Sequence, residues 1–236
     1  MRNATDVARA VVARQGIDLD EVLAQAGSEP VMDPRGWIHP DPVAHRMEAL
    51  GERLAHEFEG TFADAHVDHS GIALWVRRNQ ARGDGGGPAK PWLTLRGLAG
   101  RGKTHQMYGA VRAMATAAAQ ANRTYRWRII THPELNRRLR PQPDNSHLPL
   151  IDFYSDLDLL GWDDFGAGSF KDYAIETTLE LLDRRYRRNL PTIFTTNLNW
   201  EDMGERLSGR VPSRLQEGTV IDLKGPDRRL TLGERL

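Results

Sequence analysis

The sequence predicts an α/β fold whose core is a mostly parallel, five-stranded sheet covered by helices on both faces. Three observations carry this. From Pro91 onward, short apolar or β-branched runs alternate with segments of helical spacing. The stretch LRGLAGRGKTH, Leu95 to His105, reads as a strand end, a glycine-rich loop and the first turn of a helix. Ahead of the core, residues 1–80 carry helical spacing.

In the helical region, Val7, Ala8, Val11 and Val12 predict a first helix that Gly16 stops, and Asp18 opens a second through Leu23. A third is expected from Val43 to Phe58, with Met47, Leu50, Leu54 and Phe58 on one face, and a fourth from Gly71 to Gln80. Residues 81–90, ARGDGGGPAK, read as a glycine-rich linker, which leaves 91–236 as the core. There, WLTLRG is the first strand, and Lys103 to about Asn122 the helix after the glycine loop. Tyr125–Ile130 is the second strand, with a short helix from Pro133 to Leu139, and PQPDNSHLP is loop. Leu157–Asp164 is the third strand and Tyr173–Arg188 a long helix; Thr192–Asn197 is the fourth strand, followed by helical pieces over 201–207 and 211–216. Val220–Lys224 is the fifth strand, and the chain has no internal repeat.

Composition narrows the class. The 236 residues are 39% hydrophobic, enough for one sizeable core and a smaller appendage. Lysine plus arginine balance aspartate plus glutamate at 32 each, so nucleic-acid contact would have to come from local patches. Without cysteine, disulfides and thiolate-bound zinc are excluded, which fits a reducing cytoplasm. Arginines inside the first apolar pattern argue against a signal peptide, and no apolar run approaches the roughly 20 residues of a membrane span. A soluble, cytoplasmic protein is expected.

The chemistry concentrates on strand ends. Gly97-Leu98-Ala99-Gly100-Arg101-Gly102-Lys103-Thr104 fits G-x-x-x-x-G-K-[S/T] in full and lies between a strand and a helix. Its glycines let backbone N–H groups converge on phosphate oxygens at a helix N-terminus. Lys103 is expected to neutralise the β- and γ-phosphates of ATP, and Thr104 to place its hydroxyl on Mg²⁺. The third strand ends in Asp163-Asp164; the first acid suits the metal, the second the orientation of an attacking water. Asn197, at the tip of the fourth strand, is expected beside the γ-phosphate. His105 follows the loop as a helix-packing or nucleotide-adjacent residue. His45, His56, His66, Asp68 and His69 match no metal-ligand spacing and are expected on the surface.

These residues resemble the AAA+ ATPases, and within them the bacterial DnaC/IstB-type group of helicase loaders and transposition helpers. GLAGRGKTH, LDLLGWDDFG, PTIFTTNLNWEDM and LSGRVPSRLQEG look like the family's Walker A loop, Walker B strand, sensor-1 segment and arginine motif. The resemblance covers about Pro91 to Leu236. It implies a trans-acting arginine finger at Arg214, with Arg210 a possible second partner, and a sensor-2 arginine at Arg229 or Arg228. The stretch after Lys224 is too short for the helical lid of many AAA+ proteins, and the DnaC/IstB-type group is similar in lacking one. Asp164 stands where Glu is commoner, which implies slow hydrolysis suited to a switch. Arg101 stands where a small residue or Thr is usual, and the cysteine-free N-terminus cannot form the zinc module of some loaders.

What the resemblance implies is an ATP-dependent loader, assembled as a homo-oligomer with ATP at subunit interfaces. Its N-terminal helices would grip a replicative helicase and its core would engage single-stranded DNA. Three arginine clusters are candidates for that contact: Arg123, Arg126 and Arg128; Arg137, Arg138 and Arg140; Arg184, Arg185, Arg187 and Arg188. For each, a solvated helix face is the competing reading. A transposase-helper ATPase shares the core and differs in the N-terminal partner. A P-loop small-molecule kinase or a non-hydrolysing nucleotide-binding adaptor are the readings from other classes.

Overall fold

The structure is a computed structural model and describes residues 41–80, 91–145, 147–168 and 171–228. The first two expected helices, the linker 81–90 and Arg229 lie outside the described residues. These divide into two compact units. One comprises 41–57 with 116–124, and the other 58–115 with 125–228. In the first, helix α1 (Pro42–Glu57) carries an Arg53–Glu57 ion pair one turn apart, and Arg46 donates to the Asn122 side chain at 2.7 Å.

In the second unit, a 3₁₀ turn at Gly60–Phe62 and helix α2 (Ser70–Gln80) precede the sheet, and α2 buries Ile72, Trp75 and Val76. The sheet is built from β1 (Trp92–Arg96), β2 (Trp127–Thr131), β3 (Leu159–Asp163), β4 (Thr192–Thr196) and β5 (Thr219–Asp222). All pairings are parallel and the order is β2-β3-β4-β1-β5. β3 and β4 are buried along their whole length, the pattern of strands covered on both faces. The connecting helices are α3 (Lys103–Gln120), α4 (His132–Arg138), α5 (Leu148–Ser155), α6 (Asp172–Arg187), α7 (Trp200–Arg206) and α8 (Arg210–Gln216).

The five-stranded parallel α/β expectation holds. Strand bounds differ by one or two residues, and β3 stops at Asp163 because Asp164 takes the left-handed conformation, φ +48°. Helix α5 is an element the sequence did not predict. It spans only two turns, too few for a 3.6-residue period to stand out, and the proline that closes the loop signal, Pro149, lies in its first turn. It buries Ile151 and Tyr154 in the main core with Leu135, Leu160, Trp162 and Phe194.

A buried cation fastens the unit away from the strand tips. Arg185 of α6 has no exposed surface, and it donates to the carbonyls of Tyr154, Leu157 and Pro191 and to Thr192 Oγ1 at 2.6–2.9 Å. Burial pulls its guanidinium down to about 9, yet leaves it charged at neutral pH. The residue belongs to one of the candidate DNA-binding clusters, but no ligand outside the protein can reach it.

Candidate functional site

The strand order decides which side chains meet. Because β4 lies between β1 and β3, its carboxyl end separates the glycine loop after β1 from the acidic pair after β3. In open parallel sheets ligands bind at these carboxyl ends.

The loop itself is shaped by glycines. Gly97 and Gly100 have φ of 144° and 74°, and an added Cβ would sit 2.5 Å from the Leu223 carbonyl oxygen or 1.8 Å from an Asp227 carboxylate oxygen. Neither position tolerates a side chain. Lys103, at the first turn of α3, turns its ammonium back into the loop. It donates to the carbonyls of Gly97 and Leu98, both at 2.8 Å, and to Asn197 Oδ1 at 2.6 Å. The lysine and the strand-tip amide are thus in direct contact, from positions far apart in sequence.

Thr104 Oγ1 donates to Asp163 Oδ1 at 3.0 Å, and Thr195 Oγ1 donates to the same oxygen at 2.5 Å. Burial pushes the Asp163 carboxyl above its ordinary range, a shift that the hydrogen bonds from Thr195 and Thr104 only partly oppose. A desolvated carboxylate beside a threonine hydroxyl is an oxygen donor set suited to a hard divalent cation, whose charge would offset the desolvation. Thr104 and Asp163 therefore fit the expected Mg²⁺. Asp164 is exposed, and its N–H donates to Thr195 Oγ1 at 3.0 Å. Phe165 N–H follows to the Thr195 carbonyl at 2.7 Å, so one residue of β4 holds both the Asp163 carboxylate and the backbone that follows it.

Beside the loop lies an open cleft of about 400 Å³ whose lining includes Leu98, Arg101, Asn197, Asp222 and Lys224. Arg96 closes its floor through a two-point contact with Asp222 at 2.8 and 2.9 Å and stacks on Trp200. The segment after β5 returns over the glycine loop. Arg228 N–H donates to the Gly100 carbonyl, and its guanidinium pairs with Asp68 at 3.0 Å. Asp68 is held in turn by buried Gln106 of α3, through both its carboxylate and its N–H. Gln106 had no signal of its own in the sequence, since a glutamine inside a helix is ordinarily a surface residue. His105 stands edge-on to His66 at 5.4 Å and accompanies this clamp.

The arginine motif is placed differently from a free cation. Arg214 of α8 is paired with Asp183 of α6 and lies over the Tyr186 ring at 5.3 Å, half-buried. Arg210, on the first turn of α8, is exposed. Of the arginine clusters, Arg126, Arg138, Arg184 and Arg188 are engaged with Asp158, Glu134, Asp152 or Glu180, and Asp156. Arg123, Arg137, Arg140 and Arg187 are exposed. Among the described residues no group of three or more His, Asp or Glu side chains could hold a metal by itself, and no helix is long and apolar enough to cross a membrane.

One titration is set by the fold. His132, the first residue of α4, is wholly buried, and burial pulls its imidazole down to about 3. Its Nδ1 receives the Gly166 N–H at 2.8 Å, so this nitrogen must be unprotonated. The unfolded chain binds a proton here near pH 6.5 and the folded chain does not, so stability is lost as pH falls from about 6.5 toward 3. The contribution is on the order of 5 kcal/mol. Asp163, raised, acts in the opposite sense, losing stability as pH rises. Comparing the urea midpoints of wild type and His132→Asn between pH 7 and 4 isolates the histidine: the gap between them is expected to narrow as pH falls.

No protein-family model matches this chain, and no curated protein does. Solved structures do. The crystal structure of DnaI is 25% identical, with a TM-score of 0.54 over 74% of this chain and 93% of that one. The crystal structure of the DnaC helicase loader is 22% identical, TM-score 0.55, over 73% and 99%. The replication initiator DnaA bound to AMPPCP and single-stranded DNA is 15% identical, TM-score 0.55, over 77% and 54%. The chain spans about half the length of that initiator and of a DNA replication initiation factor, 50% of which it covers. The parallel five-stranded sheet, with its glycine loop after β1, has the fold of these structures, and the chain is an α/β protein of the AAA+ P-loop fold that DnaI and the DnaC helicase loader share.

Proposed function

We propose that the chain is an ATP-dependent loader that binds a replicative DNA helicase and places it on single-stranded DNA, with ATP hydrolysed at interfaces between copies of the chain. The observation that carries the ATP reading is the convergence of Lys103, Asn197, Thr104 and Asp163 at the carboxyl ends of β1, β4 and β3. The similarity to DnaI, to the DnaC helicase loader and to a DnaA that carries AMPPCP and single-stranded DNA supports the replication reading.

In this reading the glycine loop offers its N–H groups to the phosphates, and the Lys103 ammonium leaves the loop carbonyls for the β- and γ-oxygens. Thr104 and Asp163 would hold a magnesium ion, which supplies charge neutralisation across the phosphate oxygens. Asp164 orients and polarises the attacking water, and Asn197 fixes it beside the γ-phosphate. The cation on the opposite side of that phosphate is the part assigned to Arg214 of a neighbouring copy, with Arg210 as its second. Arg214 would then have to release Asp183 on assembly. The N-terminal region takes the helicase, and the exposed Arg123, Arg137, Arg140 and Arg187 are the candidate contacts to the DNA backbone.

The test mixes two defects. Arg214→Ala should bind ATP yet hydrolyse it on the order of 10³-fold more slowly, the usual worth of a finger. Mixing it with Asp164→Asn should restore activity, because one variant supplies the acid and the other the arginine. No recovery at any mixing ratio would sink the shared site. Capture of the full-length chain, with a non-hydrolysable ATP analogue, by a replicative helicase or instead by a transposase decides between loader and transposition helper.

A further inference from the structure

We infer that His132 is a positioning residue for Asp164, holding the loop that carries this acid from the side opposite β4. The inference rests on the ATPase reading above and adds a residue to it. The loop Asp164–Gly168 leaves the sheet through three left-handed residues, Asp164 at φ +48°, Gly166 at φ +85° and Gly168 at φ +95°. An aspartate adopts that conformation at a cost, so the surroundings must over-determine it.

From β4, Thr195 receives the Asp164 N–H, and Thr196 Oγ1 donates to the Phe165 carbonyl at 2.8 Å. These bonds fix one side of the turn. On the other, His132 Nδ1 receives the Gly166 N–H, and its ring stacks on Phe165 with centroids 4.8 Å apart and planes 19° from parallel. Trp162, one residue before Asp163, meets the same ring edge-on at 5.1 Å. The imidazole thus touches the strand before the acidic pair and two of the three residues after it.

The remaining nitrogen completes the device. With Nδ1 accepting, the ring proton sits on Nε2, which donates to Thr178 Oγ1 of α6 at 3.1 Å. The histidine is placed by its own local sequence: Thr131 is the N-cap of α4, its Oγ1 receiving the Glu134 N–H, and Pro133 pre-sets the first turn. A short helix start at the tip of β2 is thereby tied to the acid loop at the tip of β3 and, through Thr178, to α6. His132 touches no reacting atom. Its role is to keep Asp164 aimed.

The test compares His132→Phe, which keeps the ring and removes both polar atoms, with His132→Asn, whose Oδ1 can stand where Nδ1 stood. In His132→Phe, kcat for ATP hydrolysis should fall roughly tenfold or more, the worth of one aligned hydrogen bond at the acid. KM for ATP and the affinity for a non-hydrolysable analogue should stay within about twofold. His132→Asn should recover most of the rate. The Gly166 amide should exchange with solvent faster in the Phe variant and at the wild-type pace in the Asn variant. Thr178→Val, which cuts the distal bond and threatens the fold less, should lower kcat in the same direction by less. A Phe variant with wild-type kcat, an equal loss of rate and of analogue affinity, or Asn and Phe variants equally impaired would each overturn the assignment. If the wild-type chain turns over no ATP, the loader reading fails on that account. The Gly166 exchange rate then still decides whether the histidine holds the loop.

Discussion

Lys103→Ala is expected to abolish nucleotide binding while leaving the protein folded. The Lys103 ammonium lies in the glycine loop and donates to two loop carbonyls and to Asn197. Without the cation the loop keeps these carbonyl acceptors with no charge to offset them against an arriving anion. Loss of a charge-assisted contact to phosphate, together with that repulsion, should weaken ATP by at least about two orders of magnitude. Stability should change little, since the carbonyls can turn to water at the open cleft. Calorimetric titration with ATP and magnesium checks the first half and a urea midpoint the second. Wild-type affinity in the variant would remove the phosphate-loop assignment, and with it the proposed reaction.

Arg185→Met should have the largest effect on stability. Its guanidinium donates to four carbonyls and a threonine hydroxyl in a region that solvent does not reach. Methionine fills a similar length but donates nothing, and each buried acceptor left alone costs roughly 1–3 kcal/mol. A loss of about 3–5 kcal/mol is expected, comparable with breaking a buried ionic contact by removing one partner. Arg185→Lys should recover only part of it, because an ammonium is a compact point charge that cannot fork toward Tyr154, Pro191 and Thr192 together. Urea unfolding followed by far-UV circular dichroism reads both variants. A Met variant within about 1 kcal/mol of wild type would mean that water replaces the guanidinium.

The sheet and the site differ in how they were legible. Strand–helix alternation with a glycine loop between the first strand and its helix was enough for the parallel fold, because few topologies bury such strands on both faces. Lys103, Thr104, Asp163 and Asn197 could be named in advance, since each stands at a strand end or in a spacing with a chemical purpose. Their contacts could not: that Asn197 bonds Lys103, or that Thr195 supports Asp163, follows from β4 lying between β1 and β3, which no local pattern encodes. Arg185 and Arg184 are adjacent and look alike in sequence, yet one is wholly enclosed and the other ion-paired at the surface. Helix faces separate them by about 100°, and which face meets the core depends on the neighbours. Helix α5 was missed for want of length, and His132 because a histidine after a strand carries no signal until its partners are known.

The tip of β4 acts as a yoke. Thr195 holds Asp163 and Asn197 holds Lys103, two residues apart on one side of the strand, while Thr196 between them steadies the loop beyond. Neither half of the machinery can be displaced without tugging the other. Insertion or deletion of one residue in this strand would swap the inward and outward sets and disconnect both at a stroke.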